Sequence, residues 1–282
     1  MNESETLISL SEAFHLINIS IATAKIEHLY TPYREIRPAM HSILVGRIGS
    51  LKSSILYEIC AKFHTIPTFN LSSANILGSV DKTTGIPIKP TIWEQRNSIV
   101  PIDELFIDSH SPNQRHALSV LLTVLEKPEF QKKIAYRVND FSEKDGDLFC
   151  RMKDGTIHVK TRFVLIANTM QPLFRKQRMI ELEALKTRCI LIPYYPTKKE
   201  LKRMINGESL FKLIHYNVKK TTKISKKIYE KIIEKTEKFD IELEYYARTI
   251  GDLCRAYSVV GYDDKTFDLI LKLRSKKKNY YS

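Results

Sequence analysis

The stretch Ser42–Ser54 (SILVGRIGSLKSS) constrains this chain more than any other: an apolar run of strand length, a turn holding Gly46 and Gly49, then Lys52-Ser53 opening a helical pattern. A phosphate-binding loop requires that context. The loop's backbone N–H groups and the helix N-terminus cradle nucleotide phosphates, a lysine neutralises them, and a serine hydroxyl reaches Mg2+. The expected binding residues are Gly46, Gly49, Ser50, Leu51, Lys52, Ser53 and Ser54. The usual pattern has glycine just before the lysine. Here that residue is Leu51, which reaches a positive φ only at a steric cost. For this stretch alone, the alternative is a strand, turn and helix with a chance Lys-Ser pair.

Three later stretches add to it. Ser98–Glu104 (SIVPIDE) is a second apolar strand, ending in adjacent carboxylates. Asp103 suits the water shell of Mg2+, and Glu104 suits polarisation of an attacking water. Arg162–Thr169 (RFVLIANT) is a third such strand, ending in Asn168, an amide suited to the γ-phosphate or to that water. Leu185–Cys189 (LKTRC) sets Arg188 just ahead of a last strand. Singly, each has an ordinary explanation as a solvated strand end or a turn. In this order, each at the end of an element, they point to ATP and Mg2+ as ligands. Ser53 and, through water, Asp103 are the expected metal residues.

The surrounding texture is α/β: short apolar runs alternate with helical patterns from His41 to about residue 200. Strands are expected near 42–46, 66–69, 99–103, 134–141, 147–153, 156–160, 163–167 and 189–192, and helices at 52–64, 113–127, 176–187 and 198–205. Residues 7–30 read as one or two helices, and only helices are expected beyond Tyr195-Pro196. The division expected is 1–38 as an N-terminal helical segment, 39–200 as the nucleotide-binding core, and 201–282 as a helical lid with a basic tail. No apolar run approaches the roughly 18 residues of a membrane span. Cys60, Cys150, Cys189 and Cys254 lie far apart with no CxxC, against a zinc ribbon or a disulfide framework. With an acidic N-terminus, this makes a reducing cytoplasm the expected setting. The formal net charge of +13 calls for an anionic partner.

The set Gly46–Ser53, Ile99–Glu104, Asn168 and Arg188 resembles an AAA+ ATPase: Walker A, Walker B, sensor 1 and an arginine finger. Within that group it resembles most the minichromosome-maintenance (MCM) helicases and their plasmid, virus and mobile-element relatives. That clade also replaces the glycine before the Walker A lysine. Asn113–Ala117 (NQRHA) followed by Leu125-Glu126 is similar to its helix ending in a glutamate. Tyr246–Ala256 (YARTIGDLCRA) resembles its lid helix, whose first arginine, here Arg248, is sensor 2. The resemblance implies a three-layer αβα P-loop domain with a C-terminal helical lid. It implies Glu104, Asn168, Arg188 and Arg248 as catalytic residues. Arg188, with or without Arg248, would serve a neighbouring subunit's site in a homo-oligomeric ring, most often a hexamer. The activity implied is ATP-driven unwinding or remodelling of DNA in replication by a prokaryotic, viral or mobile-element protein. The alternative is a helicase loader or protein-remodelling switch acting on a protein partner, and a third reading is nucleotide binding with turnover impaired by Leu51. At 282 residues and with no cysteine cluster, the sequence is expected to depart from the clade, being too short for its N-terminal DNA-binding domain and zinc module.

A candidate nucleic-acid contact lies between the second and third stretches. Asp154-Gly155 is a favoured two-residue hairpin turn. Pairing outward across it opposes Met152 to Ile157, Cys150 to Val159 and Leu148 to Thr161 on one face. The other face pairs Lys153 with Thr156, Arg151 with His158 and Phe149 with Lys160. Arg151, Lys153, His158 and Lys160 are the candidate DNA-binding residues, at the place of the clade's pre-sensor 1 hairpin. A solvated sheet face is the alternative. In the Gly- and Pro-broken loop 70–98, Lys82 and Lys89 read as ordinary loop charges or as DNA contacts. The lysine-rich segment Val218–Lys238 reads as a lid helix with a solvated face, and Lys272–Lys278 as a frayed basic tail.

Overall fold

The computed structural model describes residues 8–68, 72–105, 112–127, 129–134, 139–170 and 180–275. Helix α1 (Leu10–Thr23) begins at a capping box, with Ser9 and Glu12 satisfying each other's backbone N–H groups. Strands β1 (His28–Tyr30) and β2 (Glu35–Ile36) follow, then β3 (His41–Gly46), every residue of which is buried. Helix α2 (Lys52–Lys62) leaves the turn after β3. Next come α3 (Ser73–Leu77), β4 (Ser79–Val80), β5 (Pro87–Ile88), α4 (Thr91–Glu94), β6 (Ser98–Ile102) and α5 (Pro112–Glu126). Strands β7 (Glu129–Lys133), β8 (Phe141–Asp145), β9 (Leu148–Lys153), β10 (Thr156–Lys160) and β11 (Phe163–Met170) precede α6 (Ile180–Arg188) and β12 (Cys189–Pro193). Helix α7 (Lys198–Ile205), strand β13 (Thr221–Lys223) and helices α8 (Lys226–Glu237), α9 (Leu243–Val260) and α10 (Asp264–Arg274) complete the order.

The protein is mixed α/β. Among the described residues, β12, β3, β11 and β6 lie side by side in that order, all parallel. Such a sheet must be covered on both faces, hence the unbroken apolar runs. Alternation sends Leu44, Ile99, Val164, Ile166 and Ile190 into one cluster with α1, α2, α9 and α10. Ile43, Val45, Val100, Leu165 and Ala167 enter the other, with α3, α4, α5 and the antiparallel sheet. That second sheet has the order β7-β10-β9-β8.

Several expected elements differ. Helix α1 stops at Thr23, whose Oγ1 donates to Ser20 O at 2.6 Å and accepts from Met40 N–H at 2.9 Å. The chain beyond forms β1, parallel to β13. A strand past residue 200 was not expected; three residues are too few to show a period. The expected strand at 66–69 is a single bridge, Thr68 to Ile102, with residue 69 outside the described residues. The run at 134–141 falls between two strands, β7 and β8, with 135–138 outside the described residues. The loop 70–98 is more regular than its glycines and prolines suggested. Ser72 caps α3, and Gly78 (φ 82°) turns where an added Cβ would meet Ile88 O at 2.7 Å. No helix among the described residues is long and apolar enough to cross a membrane.

Candidate nucleotide and arginine sites

The strands β3, β6 and β11 end together at one edge of the parallel sheet, the usual place for ligands in such sheets. Gly46 ends β3 where an added Cβ would lie 2.7 Å from Tyr194 O, so only glycine fits. The loop then turns through Gly49 (φ 76°) and Leu51 (φ 56°, ψ 26°) before α2 starts at Lys52. Leu51 does adopt the left-handed conformation that its β-carbon disfavours. Ser50 Oγ donates to Arg47 O at 2.8 Å. The Lys52 ammonium donates to Arg47 O at 2.8 Å and to Ser50 Oγ at 3.2 Å, folded against its own loop. Burial holds Lys52 below the ordinary lysine range, with Glu104 and then Asp103 pulling the other way.

Facing the loop, buried Asp103 takes two donors on Oδ1: Ser53 Oγ at 2.9 Å and Asn168 Nδ2 at 2.6 Å. Asn168 Oδ1 in turn accepts the Glu104 N–H at 2.8 Å, with Glu104 itself at φ 49°. The Asn168 amide thus fixes both the Asp103 carboxylate and the turn that aims Glu104. Ile48, Gly49, Leu51, Lys52, Ser53, Ser54, Glu104, Asn168 and Thr169 line a cleft of about 230 Å3. The sequence reading missed Thr169, whose Oγ1 donates to Leu105 O at 3.0 Å and secures the strand end; its place next to Asn168 was the available signal. Gly46, Ser50 and the expected metal residue Asp103 do not line it; buried Asp103 is joined to it through Ser53 and Asn168. The donor set fits a hard cation with phosphate: hydroxyl and carboxylate oxygens, an ammonium, and free N–H groups at the start of an eleven-residue helix.

Arg188 and Arg248 do not line this cleft. Arg248 Nη2 donates to Glu126 Oε2 at 2.7 Å, while Arg188 Nε approaches the same oxygen at 2.9 Å as an ion pair without hydrogen-bond alignment. Arg188 Nη1 donates to Ala184 O at 2.9 Å. Both arginines line, with Glu126, a separate cavity of about 380 Å3. Behind it, buried Asp252 binds Arg255 Nη1 at 2.8 Å and Arg274 Nη2 at 2.7 Å. Arg274 also donates to Lys186 O at 2.9 Å, tying the last helix to the end of α6, which carries Arg188. Arg274 is therefore an internal tie rather than part of a frayed tail; residues 276–282 lie outside the described residues.

The expected hairpin has the expected register: Met152 opposite Ile157, Cys150 opposite Val159, Arg151 opposite His158 and Phe149 opposite Lys160. Asp154 (φ 50°) and Gly155 (φ 68°) are both left-handed, as a type I′ turn demands. It is not an isolated hairpin, however, because β7 pairs along the whole of β10 and β8 along β9. Nor is its basic face wholly unpaired. His158 meets Glu129 at 2.8 Å, Lys160 meets Asp147 at 3.3 Å, and Arg162 meets Asp147 at 3.1 Å. Arg151 lies 4.9 Å from the Phe149 ring centroid, and Arg151 and Lys153 stay exposed with no carboxylate bound among the described residues. Lys89 pairs with Glu143 at 2.8 Å, a structural charge.

Burial pushes the thiols of Cys60, Cys150, Cys189 and Cys254 up to about 12, which leaves them un-ionised at neutral pH. A scan of protein-family models finds no match for the chain, and a search of curated proteins finds no relative.

Proposed function

We propose that this protein is an ATP-hydrolysing AAA+ motor, similar to the MCM-like clade, that acts on DNA as a ring of identical subunits. The observation that carries the reading is the network joining Ser53, Asp103, Asn168 and Glu104 beside the cleft at the start of α2. In this reading Lys52 and the N–H groups of α2 hold the β- and γ-phosphates. Ser53 and, through water, Asp103 hold Mg2+, which when bound neutralises charge building on the phosphates. Glu104 orients the attacking water and accepts its proton, and Asn168 keeps Glu104 aimed. Arg188 and Arg248 lie outside their own cleft, which supports their service to a neighbour, where an arginine finger is worth about 10³–10⁵ in rate.

A second reading is a loader or remodelling switch with a protein partner. The pairing of His158, Lys160 and Arg162 with carboxylates favours it, because it leaves fewer cations for a phosphate backbone. The ATPase rate with and without single-stranded and duplex DNA separates the two. The motor reading expects stimulation by DNA, lost in Arg151→Glu/Lys153→Glu together with salt-sensitive binding. An unstimulated rate and no DNA binding would favour the switch, and retained ATP affinity with no turnover a nucleotide-bound structural protein.

A further inference from the structure

The small sheet β13-β1-β2 has one face turned to the core and one to solvent. Paired residues share a face, so Leu29, Thr222 and Ile36 form one side, with Leu29 in the core. The other side carries His28 and Tyr30 of β1, Thr221 and Lys223 of β13, and Glu35 of β2. Thr221, Lys223 and Glu35 are exposed, and His28 and Tyr30 are half-buried. The His28 and Tyr30 rings stand stacked, centroids 6.0 Å apart and planes 17° from parallel. Tyr33, 70% exposed in the turn between β1 and β2, adds a third ring, set edge-on to Tyr229 of α8 at 5.6 Å. Aromatic rings at a surface forgo burial that would stabilise the fold, and their faces stay open to a second flat group.

The charge around these rings is one-sided. Lys219, Lys220 and Lys223 lead into and along β13, and Lys226 and Lys227 open α8 directly after it; all five are exposed. The first turn of α8 holds no acid, although a helix dipole favours anions there. Lys220 pairs with Glu27 at 3.0 Å, and Lys226 reaches Glu230 only at 3.9 Å. Lys219, Lys223 and Lys227 bind no carboxylate among the described residues. Glu35, the acid on the open face, is taken by His28 Nδ1 at 2.7 Å. A carboxylate-rich protein segment would answer the lysines and leave the rings idle. A single-stranded nucleic acid uses both, its phosphates on the lysines and its bases on the rings, whereas a duplex keeps its bases inside.

We propose that the open face of β13-β1-β2 binds single-stranded DNA, the bases stacking on His28, Tyr30 and Tyr33 and the backbone held by the lysines between 219 and 227. His28 and Lys160 of β10 line one cavity of about 440 Å3, so a strand crossing this face continues toward the hairpin sheet. The surface extends the contact of Arg151 and Lys153 rather than replacing it. The choice of DNA over RNA rests on the function proposed above; the single strand, the stacking and the phosphate contacts do not.

The test is fluorescence anisotropy with labelled single-stranded oligothymidylate, and with a labelled duplex of equal length, in the absence of ATP. Tyr33→Ala is expected to weaken oligothymidylate binding about fivefold or more, the worth of one stacked base, and to leave duplex affinity unchanged. Tyr33→Phe keeps the ring and is expected to bind as wild type does. Lys219→Ala/Lys223→Ala, at two exposed positions, is expected to flatten the slope of log affinity against log salt by about 1.4, two phosphate contacts on a single strand. Oligothymidylate binding that Tyr33→Ala and the lysine pair both leave unchanged overturns the proposal. Competition by polyglutamate as strong as by unlabelled oligothymidylate overturns it too, and marks the surface for an acidic protein segment. Weakening by the sheet variants supports it even where Arg151→Glu/Lys153→Glu changes nothing, a result that would count against the hairpin instead.

Discussion

Leu51 offers a sharp test of the phosphate loop, because the structure holds it at φ 56° where its β-carbon is unwelcome. A left-handed conformation costs an L-residue about 1–2 kcal/mol. Glycine escapes that cost but loses roughly 0.5–1 kcal/mol more backbone entropy on folding. Leu51 is half-buried, so truncation forfeits some apolar contact. That loss is common to Leu51→Ala and Leu51→Gly and cancels between them. The difference left is strain relief less entropy, and it favours Leu51→Gly over Leu51→Ala by up to about 1.5 kcal/mol. In an ordinary helical position the order is opposite, alanine being better by about 1 kcal/mol. Urea unfolding of the two variants reads the sign directly, through the midpoints at equal slope. A Leu51→Ala protein more stable than Leu51→Gly would refute the reasoning.

Gly46→Ala forces a methyl group onto Tyr194 O, which is backbone and held by the Tyr194 N–H···O Val45 bond at 2.8 Å. We expect a loss of about 1–3 kcal/mol in unfolding free energy with weakened ATP binding by calorimetry; unchanged values would contradict the close approach. His41 accepts the Leu165 N–H on Nδ1 at 3.0 Å and is held well below its ordinary 6.5 by burial, then by Arg37 and Arg255. Its folded value being depressed, stability is full above the unfolded value and falls as pH drops below it, by up to about 1.4 kcal/mol per pH unit. His41→Asn keeps an acceptor for Leu165, and its unfolding curves between pH 7 and 5 should fall less steeply than wild type. His15, also lowered by burial, should leave a residual slope.

The strands that build the cleft were legible because parallel strands covered on both faces need unbroken apolar runs, and Ser42–Gly46, Ile99–Ile102 and Phe163–Ala167 supply them. The Asp154-Gly155 turn was legible for a local reason as well: two successive left-handed residues are rare outside such pairs. Long-range pairing was not legible. Nothing local marks Thr221–Lys223 as the partner of His28–Tyr30, and the strand run at 134–141 could not reveal two separate flanking strands. The charged residues were read by type but not by partner. Arg188 and Arg248 were assigned by resemblance, yet their meeting at Glu126 depends on three elements, α5, α6 and α9, that are far apart in the chain. Lys160 and His158 looked available to an anion because the carboxylates that take them lie outside their own strand, Glu129 on the neighbouring β7 and Asp147 in the turn between β8 and β9.

The catalytic assignment of Glu104 is tested most directly by Glu104→Gln. Its backbone N–H keeps the bond to Asn168 Oδ1 in the variant, so the turn and the phosphate loop should stay intact. We expect ATP affinity close to wild type, with the hydrolysis rate lowered by about 10²–10⁴, the usual worth of a positioned general base. Hydrolysis at the wild-type rate by Glu104→Gln would contradict the account.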